Sequence, residues 1–456
     1  MSNRTKWMRI LALLMIFALA AAACGSDSSD GETSTAPEED EAPSGDVRNV
    51  IVVDKTVGGV TAGDDISEAI TPAAGADRGN VDGTLTIGSV LPSSGDLAVL
   101  GEPMNKAVEL AIADINEAGG VLDGDVVLDA RDSGTDEQVA SDAVDGLLGT
   151  PTDVIVGAAS SRISLSVIDK ITGAGVPECS PSNTGLDFTT YEDGGYYFRT
   201  APPDNLQAKV MADELIIPDG PESVAIIALA DSYGQGFAGA LETELTNAGL
   251  EVSANIPYDP NGTNFDSDVA ELADTGADAY VLWGFPDTGS TILSAMIENG
   301  IGPADTQIYA GDGMQSSSLG QLVDPSNPAI VAGIKGTAPS AAPPDGEPTF
   351  PDRFAEFAPG VDTIFSAHAY DCTIVFALAA LEAGSDDPLD IAGSMNAVTE
   401  GGEKCTNFAD CKALIEAGTD IDYDGASGAL DFVNAGEPGA GAYDIWNFSD
   451  ETEPAE

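Results

Sequence analysis

The chain has 456 residues, and 77 Asp and Glu against 16 Lys and Arg give it a formal net charge of −61. Such a balance excludes a general binder of nucleic acid or of anionic membranes, because phosphate contacts require clustered Lys and Arg. The acidic residues are spread along the chain rather than blocked, which reads as a solvated surface and says little about a ligand.

Residues 1–23 carry the pattern of a secretion signal: Arg4, Lys6 and Arg9, then the apolar run Ile10 to Ala20, then Ala21 to Ala23. The run is too short to span a bilayer as a helix. Loss of the three basic residues takes the charge from −61 to −64. Cys24 directly after the small residues resembles a bacterial lipobox, with Ala21 where that motif prefers Leu. The expectation is an acylated Cys24 that anchors an extracytoplasmic protein; plain cleavage is the alternative. Residues 24–46, rich in Ser, Asp, Glu, Pro and Gly, read as a disordered linker. Residues 47–83 form an N-terminal extension whose segment VRNVIVVDKTVGGV suggests an added strand or hairpin, with no function assigned.

From Thr84 onward apolar strands alternate with amphipathic helices. LTIGSVLP is a predicted strand. The helix after it places Met104, Ala107, Val108, Ala111, Ile112 and Ile115 on one face, and Gly119-Gly120 stops it. DVVLDA and VIVGA repeat the unit, each followed by a helix, the latter beginning at Ser161. The rhythm restarts after RTAPPDN with SVAIIALAD, and continues through EVSANIPY, DAYVLWG and TQIYA. KGTAPSAAPPDGEP interrupts it again, and a helical block runs from Ser366 to Gly418. This predicts an α/β fold of two Rossmann-like lobes, each a parallel sheet flanked by helices.

Four cysteines follow Cys24, an even number that suggests two disulfides in an exported protein. Cys405 and Cys411 can close a small loop, leaving Cys179 with Cys372. Their spacings fit no zinc pattern, and the one histidine is His368.

The run Pro177-Glu178-Cys179-Ser180-Pro181-Ser182-Asn183-Thr184 suits a ligand loop at a strand end better than a core strand. It resembles the ligand loop of solute-binding proteins of the leucine/isoleucine/valine type, which serve ABC importers. GSVLPSSGDLAVLG, AVELAIADINEAGG, SYGQGF, NFDSDVAEL and YDGASGALDF extend the likeness from about Thr84 to Trp446. The resemblance implies three hinge crossings, near Arg199–Asp204, Gly336–Ala341 and Ala426–Leu430. Residues 84–201 with 339–427 would then form lobe 1, residues 202–338 with 428–447 lobe 2, and residues 448–456 an acidic tail.

The resemblance also implies the binding residues. Ser161 corresponds to a serine that holds a ligand carboxylate at a helix N-terminus, while its residue type alone equally suits an ordinary N-cap. Ser182 and Thr184 match positions that hold carboxylate and ammonium, although Ser and Asn beside Pro also build turns. Asp312 in YAGDGMQ falls where an acidic residue pairs with the ammonium, one methylene shorter than the Glu of several members. Tyr233 and Phe285 match aromatics that close over the ligand, and packing would explain them equally well. Leu100 stands where some amino-acid binders have Tyr, and Arg162 beside Ser161 is a further departure, read as facing solvent.

Asp420, Asp422 and Asp424, with Gly425 and Asp431, have the spacing of a calcium loop, with Asp in place of the final Glu. The strand-like GALDFVN after it favours a lobe crossing instead, so no metal and no cofactor is assigned. The expected function is capture of a branched-chain or other neutral amino acid by a monomeric, membrane-tethered protein that delivers it to an ABC permease. The same fold binding an amide, urea or an aromatic acid, or acting as a ligand sensor, is the alternative. A hydrolase would need a base beside a nucleophile, and His368 in SAHAYDCTI, with no G-x-S-x-G elbow in the chain, does not suggest one.

Overall fold

The computed structural model describes residues 47–61, 72, 81–433 and 436–454. The signal, Cys24 and the linker expected in residues 1–46 lie outside them. Strand β1 (Val47–Thr61) precedes five parallel strands: β2 (Thr86–Leu91), β3 (Val127–Asp132), β4 (Val154–Gly157), β5 (Glu178–Ser180) and β6 (Tyr197–Arg199). These five lie in the order β3-β2-β4-β5-β6. A second parallel set, β7 (Ser223–Leu229), β8 (Glu251–Tyr258), β9 (Ala279–Trp283), β10 (Gln307–Ala310) and β11 (Lys335–Pro339), takes the order β8-β7-β9-β10-β11. Both sheets therefore follow one doubly wound plan, and the central runs VIVG and VAIIAL are buried, as strands covered by helices on both faces must be. The predicted α/β class and its two lobes are what the chain forms.

The later elements belong to both lobes. Small strands β12 (Glu403–Cys405), β13 (Ile421–Gly425) and β14 (Gly428–Ala429) form a three-stranded sheet, and β15 (Phe432–Val433) pairs with β16 (Glu437–Pro438). The helix Ser366–Ala383 packs on the helix Ala98–Glu117 of the first lobe. Its residues from Ser366 through Ala380 are all buried, which explains why it shows no polar face in sequence. Disulfides join Cys179 of β5 to Cys372 of this helix, and Cys405 to Cys411, the pairs expected.

Strand β17 (Ala440–Pro454) closes the chain, antiparallel to β11 on one side and to β1 on the other. Two sequence expectations change here. Residues 448–454 of the expected acidic tail are strand: Phe448 is buried and Val47 pairs with Pro454. The polar stretch after it is an exposed edge with no apolar alternation to reveal it. The final crossing also falls later than Ala426–Leu430, because Phe432 packs at a tilt against Phe198 and the Gly436 carbonyl accepts from the Arg199 N–H on the first lobe, before β17 enters the second sheet. The extension, through β1, becomes the outer strand of that sheet and adds a passage between lobes upstream of the three crossings.

The calcium-loop spacing is also resolved differently. Asp422 and Asp424 sit on β13, paired in register with β12 and β14, and Lys404 of β12 bridges both at 3.0 and 2.8 Å. A regular strand cannot wrap its alternate carboxylates around one ion. The side-chain ammonium takes the place that a cation would have needed.

Candidate functional site

In sheets of this order ligands bind beyond the carboxyl ends of the strands, where the order reverses. The reversal lies between β2 and β4 in one lobe and between β7 and β9 in the other. The segments that follow these four strands face one another across a narrow, nearly closed cavity of about 10 Å³. Leu97, Leu100 and Met104 come from the segment after β2, Ala159, Ser160 and Ser161 from that after β4. The second lobe supplies Tyr233, Phe285 and Asp312-Gly313, and Ser182 and Phe365 complete the wall.

One wall is the start of the helix Ser161–Gly173. Its N-cap is Ser160, not Ser161, and the cap side chain bonds no backbone N–H of the first turn. Ser160 Oγ is buried without a hydrogen-bond partner. Ser161 occupies the first helical position, and its Oγ accepts from the Gly185 N–H at 3.3 Å. An uncapped helix start carries unsatisfied donors and a positive dipole end, both suited to an anion.

The loop after β5 is held by its own hydroxyls. Ser180 Oγ donates to the Ala158 carbonyl at 2.7 Å and accepts from the Asn183 N–H at 3.1 Å. Ser182 Oγ donates to the Ala159 carbonyl at 3.0 Å, on the cavity wall. Thr184 is fully buried and does not line the cavity; its carbonyl accepts from Asp204 N–H at 2.8 Å. Arg199 clamps the loop from beneath, with Nη1 donating to the carbonyls of Asn183 (3.1 Å) and Gly185 (2.8 Å). Its charge is met by Glu437, whose Oε2 accepts from Nε at 3.0 Å and from Nη2.

Asp312 is the one ionisable carboxylate on the wall among the described residues. Its Oδ1 accepts from Gln207 Nε2 at 2.9 Å and from the Tyr233 hydroxyl at 3.2 Å. Gln207, in the helix after the first crossing, also donates to the Thr337 carbonyl of the second at 2.9 Å, so the group that holds the acid is itself braced. Burial pushes the Asp312 carboxyl up to about 6, while the Gln207 and Tyr233 hydrogen bonds pull it down. Tyr233 stacks on Phe285 with ring centroids 5.3 Å apart. Its hydroxyl accepts from the Gly313 N–H at 3.1 Å.

Six of the seven residues expected at the site, Leu100, Ser161, Ser182, Tyr233, Phe285 and Asp312, thus share one cavity, and Thr184 lies behind it. Arg162 does not face solvent: its guanidinium pairs with Glu137 at 2.9 Å and bonds the Thr135 carbonyl at 3.1 Å. Sequence reasoning missed Ser160, Gln207 and Phe365. Phe365 sits in the left-handed region at φ +57°, a conformation that costs a bulky residue energy and that its sequence neighbours do not announce. His368 is buried with its ring against Phe365, and burial alone lowers its pKa to about 3. A ring kept neutral in this way, with Nδ1 unpartnered, is packed as core.

The two doubly wound lobes with one cavity between their strand ends define a protein that encloses a small solute rather than a macromolecule. Residues 84–440 match the family model described as periplasmic binding protein, and the chain belongs to that family. Its members are extracytoplasmic substrate-binding proteins, and this chain is a solute-binding protein of the leucine/isoleucine/valine-binding type for an ABC-type system. Among curated relatives, the chemotactic signal transduction system substrate-binding protein BasB of Halobacterium salinarum is 27% identical over 370 residues, covering 78% of this chain and 85% of its own. Leu/Ile/Val-binding protein homolog 1 of Brucella suis is 26% identical over 312 residues, 68% of this chain and 81% of its own. The substrate-binding protein LivJ of Streptococcus pneumoniae, solved with isoleucine, shares the fold with a TM-score of 0.67 at 21% identity, over 82% of this chain and 99% of its own. A solute-binding protein from R. palustris, solved with 4-hydroxybenzoate, has a TM-score of 0.63 at 17% identity, over 82% and 97%. No helix among the described residues is long and apolar enough to cross a membrane.

Proposed function

We propose that this protein captures a neutral amino acid with an apolar side chain, branched-chain or similar, and delivers it to an ABC importer. The observation that carries the reading is the pairing of Asp312 on one lobe with the uncapped helix start at Ser160-Ser161 on the other, within one cavity. A zwitterion satisfies both: its carboxylate takes the free N–H groups and hydroxyls, its ammonium takes Asp312. Leu97, Leu100, Met104, Phe285 and Phe365 leave an apolar remainder for the side chain. Ser182 lies on the wall to help fix the polar end. Thr184 would act from behind, by holding the loop. Ligand touches both lobes only when they are closed, so binding draws the open–closed equilibrium toward closure. No catalytic step is required.

The working form in this proposal is a monomer tethered outside the cytoplasmic membrane through acylated Cys24, with the permease reading the closed shape. A sensor role is the second reading, favoured by the name of the halobacterial relative, which belongs to a chemotactic system. The test is thermal unfolding of the secreted protein against amino acids, amides, urea and aromatic acids. A ligand at a hundred times its dissociation constant adds about 2.7 kcal/mol of stability. A raised midpoint with leucine, isoleucine or valine that is lost in Asp312→Ala is the expected result. A response to aromatic acids alone would overturn the amino-acid assignment, since such a ligand offers no ammonium to Asp312.

A further inference from the structure

The helix Pro286–Glu298 of the second lobe begins without a cap of its own. Its N-cap residue is Phe285, whose side chain accepts nothing, and its first helical residue is Pro286, which has no N–H. The first turn therefore leaves the Asp287 and Thr288 N–H groups to be satisfied from outside, since the Gly289 N–H already bonds the Phe285 carbonyl at 2.8 Å. Thr288 is at the third helical position, where an N-cap side chain normally bonds. The acceptor that reaches it comes from the other lobe. Asp96, in the segment between β2 and the helix Ala98–Glu117, accepts from Thr288 N–H at 3.0 Å through Oδ1 and from Thr288 Oγ1 at 3.2 Å through Oδ2.

We propose that Asp96 is a closure latch, a helix cap supplied across the cleft that forms only when the two lobes meet. The inference rests on the reading of the cavity as a closing ligand site, but its residues lie outside the cavity wall. Its placement follows from the fold. The segment after β2 and the segment after β9 both emerge at the reversals of strand order, so they meet across the cleft. Opening the cleft moves Asp96 back into water and leaves the Thr288 N–H without its charged acceptor. The helix dipole adds to the attraction, because a carboxylate at a helix N-terminus is favourable.

The latch stabilises the closed form without touching the ligand. It therefore sets how long a captured solute is retained and leaves the cavity's choice of solute to the wall residues. Other groups at the same rim are Arg162 of the first lobe, whose charge acts on both Asp96 and Asp231, and Asp287, whose charge opposes Asp96. The latch thus works against the burial of its own carboxylate, the largest opposing effect, and beside one repulsive neighbour, and the paired contacts to Thr288 are what hold it.

The test measures closure directly. Asp142→Cys and Asn299→Cys, on exposed positions of the two lobes, carry spin labels in the whole secreted chain, and pulsed electron resonance gives the interlobe distance distribution. Without ligand, Asp96→Ala is expected to lower the closed-to-open ratio about 2- to 30-fold, the range for losing a helix cap. Asp96→Asn, which keeps an acceptor oxygen, should recover part of it, and Thr288→Val should lose a smaller share from the opposite lobe. With isoleucine as probe, the dissociation rate should rise by the same factor while the association rate stays unchanged. Identical distance distributions in the parent and Asp96→Ala proteins, both with the parent circular dichroism, would overturn the latch. If isoleucine fails to bind the parent, the branched-chain reading fails, and the ligand-free distances still decide the latch.

Discussion

Asp312 makes the ligand proposal quantitative. An ammonium is held by the carboxylate and not by the carboxylic acid, so binding requires the ionised form. With its pKa pushed up to about 6 by burial, Asp312 is roughly nine-tenths ionised at pH 7 and one-tenth at pH 5. Affinity for a neutral amino acid should therefore fall about tenfold between those values, losing about 1.4 kcal/mol for each pH unit below 6. The folding linkage has the opposite sign. A carboxyl whose folded pKa is raised contributes its stability at low pH and loses it as pH rises through the window from 3.8 to about 6. Without ligand, this group should thus favour the folded state at pH 4 by about 2.4 kcal/mol relative to pH 7. Calorimetric titration across pH 5–8 on the parent and on Asp312→Asn separates the two effects. The substitution should weaken binding by about 2–5 kcal/mol at pH 7, as expected when one partner of a buried charge pair is truncated, and should flatten the pH profile. An affinity in the parent that is equal at pH 5 and pH 7, or unchanged in Asp312→Asn, would refute the placement of an ammonium at this acid.

Glu437→Ala leaves the fully buried Arg199 guanidinium without its counter-charge and should cost about 3–5 kcal/mol of stability, read from urea unfolding. Because Arg199 also holds the carbonyls of Asn183 and Gly185, the same variant should weaken ligand binding, and an unchanged unfolding midpoint would remove the clamp from the account. At the former calcium-loop candidate, neither calcium nor a chelator should move the unfolding midpoint, because Lys404 already neutralises Asp422 and Asp424. Lys404→Met should instead lower it, and a chelator-sensitive midpoint in the parent would reverse that conclusion.

What sequence could reveal depended on how local the cause was. The run SVAIIALAD is apolar because β7 is covered on both faces, so composition alone located the strand. The loop Ser180–Thr184 was readable for the same reason: its hydroxyls bond within the loop or to the adjacent strand end. Cysteine pairing followed from counting. Where an element owes its position to a distant partner, the local signal fails. Strand β1 pairs with β17 at the far end of the chain, and the polar edge beyond Phe448 is strand only because β1 lies beside it. Gln207 reads as an ordinary helix residue after a Pro-rich crossing, yet it is fully buried, with its amide nitrogen bonded to Asp312 and Thr337. Ser160 and Ser161 differ only in which one begins the helix, a one-residue choice that helix patterns do not resolve.

The same distinction orders the site by function. The groups proposed to contact a ligand sit at strand ends dictated by the repeating βα pattern, so they come into view once the two sheets are recognised. Groups that control closure, such as Asp96 and Thr288, gain their meaning only from the meeting of two lobes far apart in sequence. A change of ligand chemistry would then fall on Leu100, Phe285, Phe365 and Asp312, and a change of retention on Asp96. Phe285 is the N-cap of the helix that carries Thr288, so changes at these two residues should couple rather than add, as neighbouring sites do.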